Sequence, residues 1–212
     1  MIKFKTKICG VTSITDAQSA IESGADAIGL NFFPSSRRYV SVEQAVKITQ
    51  KVDPNAVIFI GVFVNLPMEQ VIEISARVGL GAIQLHGNET VEMVHLIKQP
   101  VIRAIRFRDR ESTQLEIERW TDAGAAAILL DADAGRDYGG TGTMIDWPLA
   151  GQLSCSVPLI LAGGLTPHNV CQAIAAVRPD GVDVASGVEL ESGRKDLDLM
   201  REFVANARQE LG

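Results

Sequence analysis

The feature that most constrains this chain is a repeated alternation. Short apolar runs of strand type recur eight times, at Thr6–Cys9, Ala27–Phe32, Val57–Phe63, Ala82–Leu85, Val101–Ile105, Ala126–Leu130, Val157–Leu161 and Val182–Ala185. Each is followed by a polar turn and a segment of helical spacing: Ile14–Glu22, Val42–Lys51, Met68–Val78, Thr90–Ile97, Thr113–Trp120, Thr143–Leu153, Pro167–Val177 and Asp196–Leu211. Start signals support the helices. Ser41 with Gln44 reads as a capping box, Thr166 precedes Pro167 at a first helical position, and Asn88 is placed to cap the fourth helix. Strand–helix alternation predicts a parallel sheet with helical crossovers. Eight even units in 212 residues, with no linker or low-complexity run, predict one domain over residues 1–212. The expected fold is a single-domain (β/α)8 TIM barrel rather than an open doubly wound sheet.

Composition narrows the function classes. With 46% hydrophobic and 22% charged residues the chain is expected to be a compact globule. A net charge of -6 disfavours a nucleic-acid partner, because such affinity comes from neutralised phosphates. The apolar stretch Ala125–Leu130 is far short of the roughly 20 residues that cross a bilayer, and the first ten residues contain no secretory apolar core. No membrane partner and a cytoplasmic location are therefore expected. Cys9, Cys155 and Cys171 lack CxxC spacing, so neither a disulfide framework nor a zinc site is indicated.

A barrel also says where chemistry sits: at the C-terminal ends of the strands, with phosphate commonly held after strands seven and eight. Cys9 ends the first strand and is followed by Gly10. Alone it reads as a small buried hydrophobe. Lys7 shares its face, however, and a nearby cation favours the thiolate needed for a base. Asp131 ends the sixth strand, either as a local cap or as a general acid whose pKa is raised by an apolar surrounding. Gly163-Gly164 and Ser186-Gly187 follow strands seven and eight, where glycine lets backbone N–H groups approach an anion. The Tyr138–Gly142 loop is a third such turn. Arg37 and Arg38 follow strand two, and one of them can clamp a planar carboxylate. Asp183 on strand eight is expected to pair with Lys7, because a lysine inside a barrel is too costly to leave alone.

These motifs, KICG, SRRYVS, QLHG, LLDAD, YGGTGTMIDW, LAGGLTP and GVDVASGVE, run nearly end to end. In order and spacing the chain resembles the phosphoribosylanthranilate isomerase family of tryptophan biosynthesis. The resemblance implies a (β/α)8 barrel without cofactor or metal, acting on a small phosphoribosyl anthranilate substrate as a monomer or homodimer. It implies Cys9 as base, Asp131 as acid and Arg38 as the carboxylate-binding arginine. Gly163, Gly164, Ser186 and Gly187 would hold phosphate, and Lys7, Gln84, His86 and Asp183 would complete the substrate-binding set. Two departures stand out: Arg37 where the family usually has Pro, and Ile145 where Phe is usual. The implied reaction is an Amadori rearrangement. A histidine-pathway isomerase does the same chemistry on a bisphosphorylated substrate, but with aspartate in place of the cysteine. It also needs a second phosphate site, for which Asn65 and Gly87 make no obvious match. A catalytically silent phosphosugar-binding protein is the alternative outside enzymes.

Overall fold

A computed structural model describes residues 4–53, 55–132 and 145–212. Eight parallel strands close into a barrel in chain order. They are β1 (Thr6–Cys9), β2 (Ala27–Asn31), β3 (Ile58–Phe63), β4 (Ala82–Leu85), β5 (Val101–Phe107), β6 (Ala127–Ala132), β7 (Leu159–Leu161) and β8 (Gly181–Val184). Closure comes from β1 pairing with β8, in a register that sets Lys7 beside Asp183. Helices α1 (Ile14–Glu22), α2 (Val42–Gln50), α3 (Met68–Val78), α4 (Glu92–Leu96), α5 (Arg110–Asp122), α6 (Trp147–Ala150), α7 (Val170–Val177) and α8 (Leu197–Leu211) alternate with the strands.

The strands are covered on both faces, which is why they read as nearly continuous apolar runs. One face, with Ile8, Ile28, Leu30, Ile83 and Leu85, packs in the cluster that also contains helix residues such as Val71, Ile117 and Phe203. The other fills the barrel with a second cluster that includes Phe4, Ala27, Ile60, Ala82, Leu129 and Ile160. Period two along each strand then carries the inward rows upward from this apolar plug to polar side chains. The lower part of the barrel interior is apolar and the mouth is polar.

Helix starts follow capping chemistry, with some corrections. Ser41 Oγ accepts from Gln44 N at 3.2 Å, as the sequence predicts. Asn88 does not cap α4: that helix follows Val91 without a side-chain cap, and Asn88 N donates to Asn65 Oδ1 instead. Pro167 lies in a turn, and α7 begins three residues later, after Asn169. The Asn169 side chain folds back to accept from Thr166 N at 2.7 Å, which stabilises that extra turn. Helix α5 starts at Arg110 rather than Thr113, because Asp109 caps it by accepting from Ser112 N at 2.9 Å. A two-stranded hairpin not expected from the sequence, β9 (Glu189–Glu191) with β10 (Arg194–Lys195), follows β8.

Candidate active site

Lys7 and Cys9 are two residues apart on β1, so both face the barrel interior. Lys7 is fully buried, and its ammonium donates to Asp183 Oδ2 at 2.9 Å and to Gln84 Oε1 at 3.0 Å. The expected ion pair is present. Burial alone would push the Lys7 pKa down, but Asp183 and the neighbouring thiol outweigh it and hold the lysine above its ordinary value. The other oxygen, Asp183 Oδ1, is buried without a hydrogen-bond partner among the described residues, and Asp183 lines the cleft above.

The polar row continues across the barrel. Lys7 can only donate, so it fixes the Gln84 amide with its oxygen towards β1. Gln84 Nε2 then faces His86 Nδ1 at 3.5 Å. On the other side of the ring, His86 Nε2 lies 3.3 Å from Asp131 Oδ2 without a hydrogen-bond partner among the described residues. Asp131 Oδ1 accepts from Ala132 N at 2.9 Å. Cys9 on β1 and Asp131 on β6 thus open into one cleft from different walls, over a buried floor of Lys7, Gln84 and Asp183.

The thiol corrects one expectation. Lys7 and Lys195 do pull the Cys9 pKa down, but burial and the Asp183 carboxylate push harder, so the thiol stands above its ordinary value. The cations moderate the cost of forming a thiolate without abolishing it.

Arg38 lies in the same cleft while Arg37 is exposed. The Arg38 stem crosses Gly10, where any Cβ would collide with its Cδ, and Gly10 has a positive φ of 74°. Its guanidinium grips Glu189 side-on, Nε to Oε1 and Nη2 to Oε2, both at 2.7 Å. Lys195 Nζ adds a second cation, donating to Glu189 Oε1 at 2.8 Å and to Ala185 O at 2.9 Å.

Gly163 and Gly164 form a turn with φ of 83° and 66°. A Cβ on Gly163 would stand 2.7 Å from Ala132 N and 3.1 Å from Asp131 Oδ1, so the turn lies directly against the carboxylate. Neither glycine donates its backbone N–H to an acceptor among the described residues. Across from it, Ser186 opens a short 3₁₀ turn, Ser186–Val188, and Gly187 packs on the Leu165 carbonyl with no room for a side chain.

A family model described as N-(5'phosphoribosyl)anthranilate (PRA) isomerase matches residues 6–206. The chain belongs to that family. The N-(5'-phosphoribosyl)anthranilate isomerase of Trichlorobacter lovleyi is 43% identical over 208 residues, which is 98% of this chain and 99% of the relative. The crystal structure of phosphoribosyl anthranilate isomerase from Thermotoga maritima matches with a TM-score of 0.86 at 37% identity, covering 97% of this chain and 99% of its own. Another crystal structure of a phosphoribosyl anthranilate isomerase matches with a TM-score of 0.83, at the same identity and coverage. That enzyme is in complex with reduced 1-(o-carboxyphenylamino)-1-deoxyribulose 5-phosphate.

In this member of the isomerase family, the cleft gathers Cys9, Arg38, Gln84, His86 and Asp131 from the ends of four strands or the loops that follow them. Gly163, Gly164, Asp183 and Ser186 also line it, whereas Lys7 lies beneath and Gly187 behind. The Tyr138–Gly142 loop falls outside the described residues. His95 and His168 are exposed. Glu189, which binds Arg38, Lys195, which binds Glu189, and Gly29, which packs against Cys9, lie behind the cleft and escaped the sequence reading. The signal for the first two was the turn segment Glu191–Arg194, whose Ser192-Gly193 marks a hairpin. Among the described residues, no group of three or more His, Cys, Asp or Glu side chains is arranged to hold a metal ion, and no helix is long and apolar enough to cross a membrane.

Proposed function

We propose that this isomerase converts N-(5'-phosphoribosyl)anthranilate into 1-(o-carboxyphenylamino)-1-deoxyribulose 5-phosphate, the Amadori step of tryptophan biosynthesis, in the cytoplasm. The observation that carries the reading is the placement of one thiol and one carboxyl on different walls of a cleft that also holds an arginine and a glycine turn whose N–H groups have no acceptor among the described residues. The related enzyme bound to the reduced product supports the same substrate class.

Asp131, as the carboxylic acid, protonates the ribose ring oxygen, and the bond from C1' to that oxygen breaks to give a Schiff base. The Cys9 thiolate then removes the proton from C2', and the electron pair flows to nitrogen to give an enolamine. Tautomerisation moves a proton from the C2' hydroxyl to C1' and yields the ketone. The enzyme is left as carboxylate and thiol, and solvent returns a proton from Cys9 to Asp131. Arg38 holds the anthranilate carboxylate, and the Gly163-Gly164 and Ser186-Gly187 turns hold phosphate through backbone N–H groups. Loss of phosphoribosylanthranilate fluorescence on adding enzyme tests the reading directly. A purified, folded protein that leaves the fluorescence decay at its uncatalysed rate would refute it.

A further inference from the structure

Resting on the reading that the substrate bears an aromatic carboxylate, we propose that Glu189 and Lys195 are positioning residues that aim Arg38. A guanidinium has two edges that can each take a carboxylate bidentately: side-on through Nε and one terminal nitrogen, and end-on through both terminal nitrogens. Glu189 occupies the side-on edge with two bonds of 2.7 Å. Nη1 has no partner among the described residues, so the end-on edge is the one left for a ligand in the cleft that Arg38 lines.

Three further observations show that this arrangement is built rather than incidental. Glu189 is nearly buried, with 4% of its side chain exposed, and Lys195 is fully buried, so the cluster is not a solvated surface pair. Burial pushes the Glu189 carboxyl up, yet Arg38 and Lys195 outweigh it and hold the group ionised below its ordinary range. Lys195 also ties the cluster to Ala185 O, one residue before the Ser186-Gly187 turn. The hairpin therefore fixes the carboxylate-binding end of the cleft relative to the phosphate-binding end. Its tip is held as well: Gly193 O accepts from Thr12 Oγ1 at 3.1 Å, and a Cβ on Gly193 would stand 3.3 Å from Arg37 O.

Charge bookkeeping points the same way. Two cations and one anion leave a single net positive charge, so an incoming carboxylate completes the balance rather than displacing Glu189. Removing the Glu189 charge would leave Arg38 and Lys195 repelling each other and free the arginine stem to sample other rotamers.

The test uses two stable probes: reduced 1-(o-carboxyphenylamino)-1-deoxyribulose 5-phosphate and the same compound without its ring carboxylate. Wild-type protein should bind the first more tightly in calorimetry. If it does not distinguish them, the carboxylate reading itself fails and the proposal with it. In Glu189→Gln, affinity for the carboxylate probe should fall about tenfold while the other probe loses less than about twofold, the selectivity expected of a charge-assisted bond to one group. Substrate turnover should show the loss in KM, with kcat within about twofold of wild type. The double variant Glu189→Gln/Lys195→Met, which removes one charge of each sign, should lower the carboxylate probe's advantage over the other probe to the same degree, whatever the lost tie to Ala185 costs both probes, and decides the matter if the single variant folds poorly. Equal losses for both probes would mean that Glu189 only holds the fold. Tighter binding of the carboxylate probe would mean that Glu189 competes with substrate. Either result overturns the proposal.

Discussion

Two pairs of turns face each other across the barrel mouth, and they are used in opposite ways. After β7, the turn at Gly163-Gly164 leaves both backbone N–H groups without an acceptor among the described residues. After β3 and β4 the corresponding groups are already taken. Asn65 N donates to Glu89 Oε1 and Gly87 N to Glu89 Oε2, both at 2.8 Å. Arg103 binds the same carboxylate at 2.7 Å and lies over the Trp120 ring at 4.4 Å. One half of the mouth is thus open to an anion, and the other has an anion of its own installed. Under the proposed function, filling the second rim internally is what leaves a barrel with two chemically similar rims one place for a phosphate. That weighs against a bisphosphorylated substrate more directly than the sequence reading of Asn65 and Gly87 could.

The largest effects are expected where chemistry meets the open rim. Asp131→Asn and Cys9→Ala should each lower kcat by at least ~100-fold, the usual scale for losing a general acid or base. Steady-state fluorescence assays measure this, and near-normal turnover in Asp131→Asn would remove that carboxyl from the mechanism. The closed rim should respond in stability rather than in rate. Glu89→Gln leaves Arg103 buried without its counter-charge, and urea unfolding should show a loss of roughly 3 kcal/mol. A comparable fall in kcat/KM for the folded variant would mean that this rim takes part in turnover, and the contrast between the halves would collapse.

A subtler test is the pH dependence of the base. The Cys9 thiol is raised by burial and by Asp183, so the thiolate forms only at higher pH. The limb of kcat/KM that reports the base should therefore rise with pH above the ordinary thiol range. Lys7 pulls the thiol down, so Lys7→Met should move that limb, and a direct thiol titration, further up. An unchanged titration would show that the cation does not reach the sulfur. Smallest of all is the expected effect of Arg37→Ala, which should change KM by less than about twofold, since this side chain is exposed while Arg38 is clamped. A KM penalty larger than that of Arg38→Ala would invert the assignment of the β2 loop.

How much of this was legible beforehand depended on the range of each interaction. The strands could be placed closely because burial on both faces writes itself into consecutive residues. The Lys7–Asp183 pair was legible because barrel closure brings the first and last strands together and period two fixes which side chains face in. The Arg38–Glu189 contact spans 151 positions between the loop after β2 and strand β9, and nothing in either segment names the other. The net direction of the Cys9 shift was misread for a similar reason. The helpful lysine is two residues away in sequence, whereas the opposing carboxylate is on the eighth strand and the burial belongs to the whole barrel. The early start of α5 and the late start of α7 were set by Asp109 and Asn169, local caps that the apolar periodicity does not register.

Gly29 sits opposite Cys9 in the β1–β2 register. A Cβ there would stand 2.7 Å from the thiol sulfur and 3.1 Å from Lys7 Cε. The position lines no part of the cleft and carries no functional group, yet the smallest possible side chain would displace both the thiol and the cation beneath it. In a saturation-mutagenesis library selected for growth without tryptophan, Gly29 should therefore tolerate as little as Cys9 does. Survivors at Gly29 would be expected to carry compensating changes on β1, making this pair of strands a place where single-step evolutionary paths are blocked.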